Sequence, residues 1–348
     1  MTIIHRRKFL QIGSLASASF MVPKFLKAFE KQILEKNKVL VIIQLSGGND
    51  GLNTVIPYEN DLYYKARQVI GIPKTKVHRM DDVQGLHPAL TSLKGLYDNG
   101  ELTLLNGVGY PNPDRSHFRS MDIWQSASES QEMISTGWVG RYLDAKCNGK
   151  GRPSLALEMD DTLSLALKGQ EQSGIAVNNP GQLYGTSNDA YFKAVLNKHV
   201  KSNAQPDTHA AADYLYKTMA ETLSSADYIY KHSKIYKTKL TYPNTGIGKD
   251  LKTIAELIQS GIDTQVYYLS LGSFDTHVNQ QGQQANLLKQ LDAAVDVFVK
   301  DLKANDRFKD TLLMTFSEFG RRVAQNASDG TDHGTANCMF MVSGGLKK

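Results

Sequence analysis

Residues 39–50 read VLVIIQLSGGND, which is a continuous apolar run followed by a glycine-rich turn and a carboxylate. Two further stretches have the same form, since residues 266–275 read VYYLSLGSFD and residues 311–318 read TLLMTFSE. Near-continuous apolar runs of this length are typical of parallel strands that are covered on both faces. In an open α/β sheet, ligands bind in the crevice outside the carboxyl ends of the strands. The three runs therefore predict an α/β fold with three carboxylates at one edge of its sheet.

The rest of the chain favours a mostly parallel central sheet flanked by helices, because apolar runs alternate with amphipathic stretches from residue 38 onward. Helices are predicted at 88–99 and 284–305, and in the second the apolar residues recur at helical spacing, which is typical of a core-facing stripe. The predicted strands are 38–45, 102–108, 153–158, 265–271, 311–317 and 338–343.

One domain is predicted over 38–348, with an insertion at about 186–245 that is rich in lysine, tyrosine, serine and alanine. We interpret this segment as a helical insertion, and the turn-forming residues 243–246 mark the return to the main domain. The last predicted strand lies close to the end of the chain, although a central strand is usually followed by another element. We therefore expect the domain to be truncated at its C-terminus, with a closing segment beyond Lys348.

The first 37 residues form a basic leader. Residues 5–11 read HRRKFLQ and precede a mild apolar stretch at 12–22. Paired arginines before Phe-Leu resemble the twin-arginine export signal, and a frayed basic amphipathic helix is the alternative. The apolar stretch is too short for a stable transmembrane span. We predict a periplasmic or otherwise extracytoplasmic protein that uses the twin-arginine export machinery as a partner.

The charge of the chain is concentrated in this leader, which has seven basic and two acidic residues, so residues 38–348 carry 33 basic and 33 acidic groups. A neutral body offers no electrostatic basis for binding nucleic acid. The chain has two cysteines, Cys147 and Cys338, which could be buried thiols or a single disulfide. No zinc-binding cysteine spacing is present.

The expected metal ligands are therefore oxygen and nitrogen atoms, which suit zinc, manganese, magnesium, calcium or iron as one or two divalent ions. Asp275 and His277 are two residues apart, so in an extended segment their side chains point to the same side. Asp50 could bind a metal or cap the segment that follows it. The candidate metal ligands are Asp50, Asp275, His277, Glu318, Asp332 and His333.

A second group of candidates lies in residues 109–118, which read GYPNPDRSHF. A helix is predicted to start near Ser116, where the dipole and free N–H groups suit a nucleophile attacking an anionic ester, or a plain N-cap. His117 could be a metal ligand, a general acid or a structural residue. Arg115 and Arg321 are candidates for contacting a substrate anion, and Arg321 could instead neutralise Glu318.

Together these stretches resemble the domain of unknown function 1501 family of exported bacterial proteins, which are related to the alkaline phosphatase/sulfatase superfamily. The resemblance is carried by the leader and by residues 45–57, 86–93, 107–124, 137–143, 274–277, 317–322 and 332–345. It implies an alkaline phosphatase-like fold with a sulfatase-like metal site.

The resemblance also implies roles for individual residues. Asp50 matches the aspartate after the first strand, Ser116 is the candidate nucleophile, and His333 matches a late histidine. The chain departs from the superfamily pattern at residues 318–320, where Glu-Phe-Gly replaces Asp-His-Gly, and Asp275 and His277 are closer in sequence than the usual pair. Either one or two metal ions would be consistent with this pattern.

The leading functional hypothesis is an exported metal-dependent hydrolase of phosphate or sulfate esters. The alternative is a non-catalytic extracytoplasmic binding or assembly protein that keeps the fold with a degenerate site, which Phe319 at an expected histidine position would suit. A metal-dependent isomerase or phosphomutase is a third hypothesis.

Overall fold

The computed structural model describes residues 38–147, 153–190, 194 and 222–346. The predicted export signal and most of the predicted helical insertion lie outside the described residues. Residues 222–232 are helical. No helix in the described part of the chain combines the length and the apolar character needed to cross a membrane.

The strands and helices of the described residues are numbered in chain order. The strands are β1 (Val39–Leu45), β2 (Val55–Ile56), β3 (His78–Arg79), β4 (Gly85–Leu86), β5 (Leu102–Val108), β6 (Ala156–Glu158), β7 (Ile175–Ala176), β8 (Val266–Leu271), β9 (Thr311–Phe316) and β10 (Asn337–Val342). The helices are α1 (Gly51–Thr54), α2 (Asp61–Ala66), α3 (Thr91–Asp98), α4 (His117–Ser126), α5 (Trp138–Cys147), α6 (Pro180–Ser187), α7 (Gly246–Gln259) and α8 (Gln280–Ala304).

The main sheet has seven strands in the order β5-β10-β9-β1-β8-β6-β7. From β9 to β7 each strand runs parallel to its neighbour, whereas β10 is antiparallel to both β9 and β5. This arrangement confirms the predicted mostly parallel sheet. A separate three-stranded sheet, β2-β4-β3, was not predicted, because its strands have only two residues each.

The three apolar runs that end in carboxylates form the adjacent strands β1, β8 and β9. β1 lies between β8 and β9, and its register pairs Leu45 with Leu271 and Gln44 with Phe316. The carboxyl ends of all three strands therefore reach the same edge of the sheet at the same level. The polar residues that follow each strand are brought together at this edge.

Burial on both faces explains why β1 is apolar at every position except Gln44. Ile43 packs in a core with α7 and α8, while Ile42 faces a second core that includes α5. All seven residues of β1 are buried. Each fully buried aliphatic side chain contributes about 1.5–3 kcal/mol, so both faces of the central strand contribute to holding it in place.

Element boundaries differ from the prediction where polar or cyclic residues intervene. Residues Pro153–Leu155 form a 3₁₀ turn rather than strand, since proline lacks the N–H that a strand ladder needs. Helix α8 begins at Gln280 rather than at the predicted residue 284, because its first turn is polar and does not show the apolar stripe on which the prediction relied. The predicted return of the chain to the main domain at 243–246 coincides with the start of α7, where the Thr245 hydroxyl accepts a hydrogen bond from Gly248 N at 3.2 Å.

Both cysteines are buried free thiols.

Glu158, the last residue of β6, gives this fold a pH dependence. Burial raises the pKa of its carboxyl to about 7, although a hydrogen bond from Ser164 N at 2.7 Å opposes the shift. Because the folded pKa lies above the ordinary value of 4.5, the folded protein holds a proton between these two pH values that the unfolded chain has lost. Stability therefore falls as the pH rises through this window.

We predict that Glu158→Gln, which keeps an acceptor for Ser164, stabilises the protein by about 2–3 kcal/mol at pH 8 and by much less at pH 5. Urea unfolding at the two pH values measures this difference. The exposed Glu171→Gln is the matched control and should change stability by less than about 0.5 kcal/mol at either pH. An equal gain at pH 5 and pH 8 would contradict the assigned pKa.

Candidate metal centre

Four loops meet at the carboxyl edge of the sheet, following β1, β5, β8 and β9. Gly47 lets the first and third approach closely, because it has φ 113° and a Cβ there would lie 2.5 Å from Asp275 N. Gly47 N also donates a hydrogen bond to Glu318 Oε1 at 2.7 Å, which joins the loop after β9. Only glycine can occupy this crossing.

Three imidazoles converge on one carboxylate at this edge. Asp275 Oδ1 lies 3.0 Å from His277 Nε2, 3.2 Å from His333 Nε2 and 3.5 Å from His117 Nε2. The Nε2 atoms of His277 and His333 are 3.0 Å apart. His117, Asp275 and His333 each offer a ligand atom within 4.8 Å of the others. His277 Nε2 adjoins this group through Asp275 and His333, and we call the three Nε2 atoms together with Asp275 Oδ1 the Nε2 cluster.

Each imidazole of the Nε2 cluster has its other nitrogen next to an acceptor. His117 Nδ1 lies 2.9 Å from Glu318 Oε1, and His333 Nδ1 lies 2.8 Å from the carbonyl oxygen of Arg115. His277 Nδ1 is 3.5 Å from Asp332 Oδ1. Carboxylates and carbonyls that accept from one nitrogen fix the tautomer and leave the other nitrogen as a lone-pair donor, as metal-binding histidines require.

This donor set fits a divalent metal ion. His117 Nε2 is buried and makes no hydrogen bond, and lone pairs that face one another repel unless a cation lies between them. Four ligands at about 2.0–2.1 Å in a tetrahedron would be roughly 3.3–3.5 Å apart. The separations of 3.0, 3.2 and 3.5 Å from Asp275 Oδ1 lie close to that spacing.

Asp275 is ionised throughout the ordinary pH range. Partial burial works against its charge, but the hydrogen bond and positive charge of the Arg321 guanidinium outweigh this effect and hold its pKa at about 2. The Arg321 guanidinium donates to Asp275 Oδ1 at 2.8 Å. Asp275 is therefore present as a carboxylate whenever the histidines are neutral enough to bind a metal.

Arg321 is not free to contact a substrate anion, the role that the sequence suggested for it. Its side chain is fully buried. Besides Asp275, it donates hydrogen bonds to four carbonyl oxygens, those of Gly47, Gly48, Phe274 and Thr331. The structure gives it the role of a clamp between the loops.

Phe319 forms the floor beneath the histidines. Its ring centroid is 4.8 Å from that of His117 and 4.5 Å from that of His333, and its side chain is buried. A Cβ on Gly48 would lie 2.3 Å from the Phe319 ring, so the turn after β1 must carry glycine here. The residue that replaces an expected histidine thus packs against the ligands and offers no donor atom.

Asp50 lies at the end of β1 but has other partners. Its carboxylate forms a fully buried ion pair with Arg67, caps α1 by accepting from Leu52 N at 3.2 Å, and accepts from the Gln280 amide. Both oxygens are thus occupied by protein donors. Of the two roles considered from the sequence, the structure supports the cap, and it does not bring Asp50 into the Nε2 cluster.

The other predicted residues surround the cluster. Glu318 and Asp332 orient histidines rather than contributing cluster atoms. Ser116 is exposed at the N-cap of α4 and makes no side-chain cap hydrogen bond, and Arg115 reaches the cluster through its carbonyl oxygen. Sequence reasoning missed Arg67, whose position in the segment after α2 gives no sign of its ion pair with Asp50.

A family model described as "Protein of unknown function (DUF1501)" matches residues 37–348. Among proteins with curated functions, none matches this chain.

Solved structures with a similar chain course include the C-terminal periplasmic domain of EcEptC from Escherichia coli in complex with Zn. It is 11% identical, with a TM-score of 0.39 and coverage of 90% of this chain and 75% of that one. The lipoteichoic acid synthase LtaP from Listeria monocytogenes is also 11% identical, with a TM-score of 0.36 and coverage of 90% and 67%. At this level of similarity, nothing about their substrates transfers to this chain.

The buried ion pair between Arg67 and Asp50 yields a stability prediction. Arg67→Ala leaves the Asp50 carboxylate buried without its cation, which costs about 3–5 kcal/mol. Arg322→Ala is the matched control, because that guanidinium is largely exposed, lies 3.8 Å from Asp332 and should contribute less than about 1 kcal/mol. Urea unfolding of both variants measures the difference, and equal costs would refute the assigned role of Arg67.

The hydrogen bond between Glu318 and His117 yields a second prediction. Glu318→Gln keeps an acceptor for His117 but removes the charge, so metal affinity should fall about 10–100-fold. Titration of zinc against a competing chromophoric chelator measures this affinity. Glu158→Gln, a buried carboxyl on another strand, is the control and should leave it unchanged. Unaltered affinity in Glu318→Gln would show that its charge does not support the centre.

Proposed function

This chain belongs to the DUF1501 family, and we propose that it is an exported, metal-dependent hydrolase of phosphate or sulfate esters. The observation that carries the proposal is the Nε2 cluster, in which three imidazole nitrogens converge on a carboxylate oxygen and each ring is oriented by its own acceptor. Such oriented donors are the mark of metal-binding histidines.

The residues that would hold the metal are His117, Asp275, His277 and His333. A divalent ion there would stabilise negative charge that develops on an oxygen of the phosphoryl or sulfuryl group. We propose one ion rather than two for two reasons. The Asp50 carboxylate is already paired with Arg67, and Phe319, at the position of an expected histidine, has no atom that can bind a metal.

A nitrogen-rich donor set also supports zinc over calcium or magnesium, which prefer oxygen ligands. Manganese remains compatible because it accepts both carboxylate and imidazole ligands. We therefore propose zinc first and manganese second.

Ser116 is the proposed nucleophile. It lies between Arg115, whose carbonyl orients His333, and His117, whose Nε2 belongs to the cluster. Its exposed hydroxyl is not used in capping α4, so it is free to react. The phosphoryl or sulfuryl group would pass to Ser116 Oγ, the alcohol would leave with the proton that Ser116 loses, and water would later release the acid.

Asp332 and Asn326 would help to position His277 without taking part in the reaction. Asp332 holds His277 from outside, and Asn326 supports Asp332 by donating a hydrogen bond to its Oδ1 at 3.3 Å. That hydrogen bond is the main reason why the pKa of Asp332 is lowered. The Arg115 side chain is exposed beside Ser116 and could contact a substrate anion.

Export through the twin-arginine route is part of this proposal. Residues 5–11 carry the paired arginines and Phe-Leu that support it. That route carries folded proteins, which suits a site whose ligands come from three separate loops, those after β5, β8 and β9.

A second candidate function is a non-catalytic extracytoplasmic binding protein. It is favoured by the engagement of Asp50 with Arg67 and of Arg321 with carbonyl oxygens, which leaves less machinery free for substrate than the sequence suggested. Turnover separates the two candidates.

We predict that the purified protein binds one equivalent of zinc or manganese and hydrolyses an aryl phosphate or aryl sulfate. His333→Ala should lose the bound metal, whereas Ser116→Ala should keep the metal and lose turnover by at least about 100-fold, since a covalent step depends on the hydroxyl. Metal analysis and a chromogenic ester assay measure both.

His78→Ala and Ser328→Ala are the controls, since neither residue belongs to the Nε2 cluster or its orienting acceptors. Metal-free protein after zinc and manganese reconstitution would defeat the metal centre. Stoichiometric metal without turnover, with Ser116→Ala indistinguishable from the unmodified protein, would favour the binding protein instead.

A further inference from the structure

A cleft of about 490 Å³ is lined in part by Gly272 and Ser273, in the loop after β8 that also carries Asp275. Its walls are the first turn of α7, the carboxyl end of β8 and the N-terminal half of α8. Gly272 contributes backbone to the wall, and a Cβ at this position would meet no atom within 4 Å. The polar side chains that line the cleft are Asp250, Ser270, Ser273, Gln283, Asn286 and Gln290.

Most of these polar groups have no partner in the described part of the chain. The Asp250 carboxyl, the Asn286 and Gln290 amides, and the hydroxyls of Ser270 and Ser273 form no hydrogen bond or ion pair there. The Gln283 amide differs, because its nitrogen donates to the carbonyl oxygens at 278 and 279. The cleft therefore holds donors and acceptors that the fold itself does not use.

The chemistry of these groups selects a class of ligand. Among the described residues that line the cleft there is no lysine, arginine or aromatic side chain, so it offers neither a cation for an anionic group nor a ring on which a base could stack. Primary amides pair a donor with an acceptor, hydroxyls do both, and a carboxylate accepts. Paired donors and acceptors at this density suit adjacent hydroxyl groups of a sugar or another polyol.

The cleft and the cluster adjoin the same short loop, the one that follows β8. Ser273 lines the cleft and Asp275 belongs to the cluster, so their Cα atoms are at most about 7 Å apart. Ser273 also has φ 77°, a left-handed conformation that is uncommon outside glycine and that turns the chain between the two sites.

We infer that this cleft binds the polyhydroxylated alcohol portion of the ester, so that the substrate class is a phosphate or sulfate ester of a sugar or polyol. The inference rests on the proposed hydrolase function for the ester group, while the cleft supplies recognition of the alcohol. Asp250, Asn286 and Gln290 would contact its hydroxyls.

Calorimetric titration of the metal-loaded full chain tests the inference through binding rather than turnover. The probes are glucose 6-phosphate, galactose 6-phosphate and glycerol 3-phosphate, with phenyl phosphate as the ester that lacks hydroxyls. Asn286→Ala/Gln290→Ala should weaken the tightest of the three hydroxylated probes about thirtyfold, since two hydrogen bonds are lost and a total of roughly 2 kcal/mol corresponds to this factor. Phenyl phosphate should bind unchanged.

Two further variants complete the test. Gln281→Ala replaces an exposed glutamine on the same helix outside the cleft and should change nothing. Gly272→Leu adds bulk to the backbone wall of the cleft without removing a polar group, and it should weaken the hydroxylated probe at least tenfold while sparing phenyl phosphate.

The inference is overturned if none of the three hydroxylated esters binds more tightly than phenyl phosphate, or if the double variant weakens all four probes equally. Tight binding of phosphoethanolamine that Asp250→Asn abolishes, with the sugar esters unaffected, would also overturn it, because the cleft would then be an ammonium site. Loss of turnover with all esters while these binding differences persist would defeat the hydrolase proposal and leave the cleft assignment intact.

Discussion

The buried guanidinium of Arg321 is the interaction on which the site depends. It joins the loops after β1, β8 and β9, and such a charge is tolerated inside a protein only when its donors are satisfied. Four carbonyl oxygens and the Asp275 carboxylate satisfy it. One cation therefore positions the loops, lowers the pKa of Asp275 and holds Oδ1, the same carboxylate oxygen that faces the imidazoles.

The fold could be predicted from the sequence where burial is the dominant signal. The three apolar runs are recognisable as central strands because burial on both faces favours β-branched and aliphatic residues at nearly every position, as in β1, where Gln44 is the exception. The antiparallel direction of β10 and the small sheet formed by β2, β3 and β4 could not be predicted, since both result from pairing between distant segments. Periodicity within one segment contains no information about its partner.

The candidate site could be predicted as a set of residues but not as a set of roles. Asp275, His277 and His333 come together as the strand-end argument expects, yet whether a carboxylate contributes to the cluster or orients a histidine depends on a few ångströms of loop geometry. Glu318 lies against His117 Nδ1, so the atom that faces the cluster is His117 Nε2 and not a Glu318 carboxylate oxygen. The adjacent Ser116-His117 pair at a helix start was the signal, but from the sequence Ser116 could equally be a nucleophile or a plain N-cap, and His117 a metal ligand, a general acid or a structural residue.

The pairing of charges is the reason for proposing a single, nitrogen-rich metal site. Asp50 is neutralised by Arg67, and Asp275 is shared between Arg321 and the imidazoles. Because the acidic groups already have protein partners, little unpaired negative charge remains to hold a second divalent ion, which would have to displace a guanidinium at a cost of several kcal/mol. What remains is a group of oriented imidazole lone pairs, and such donors bind a borderline metal such as zinc better than a hard cation that prefers oxygen.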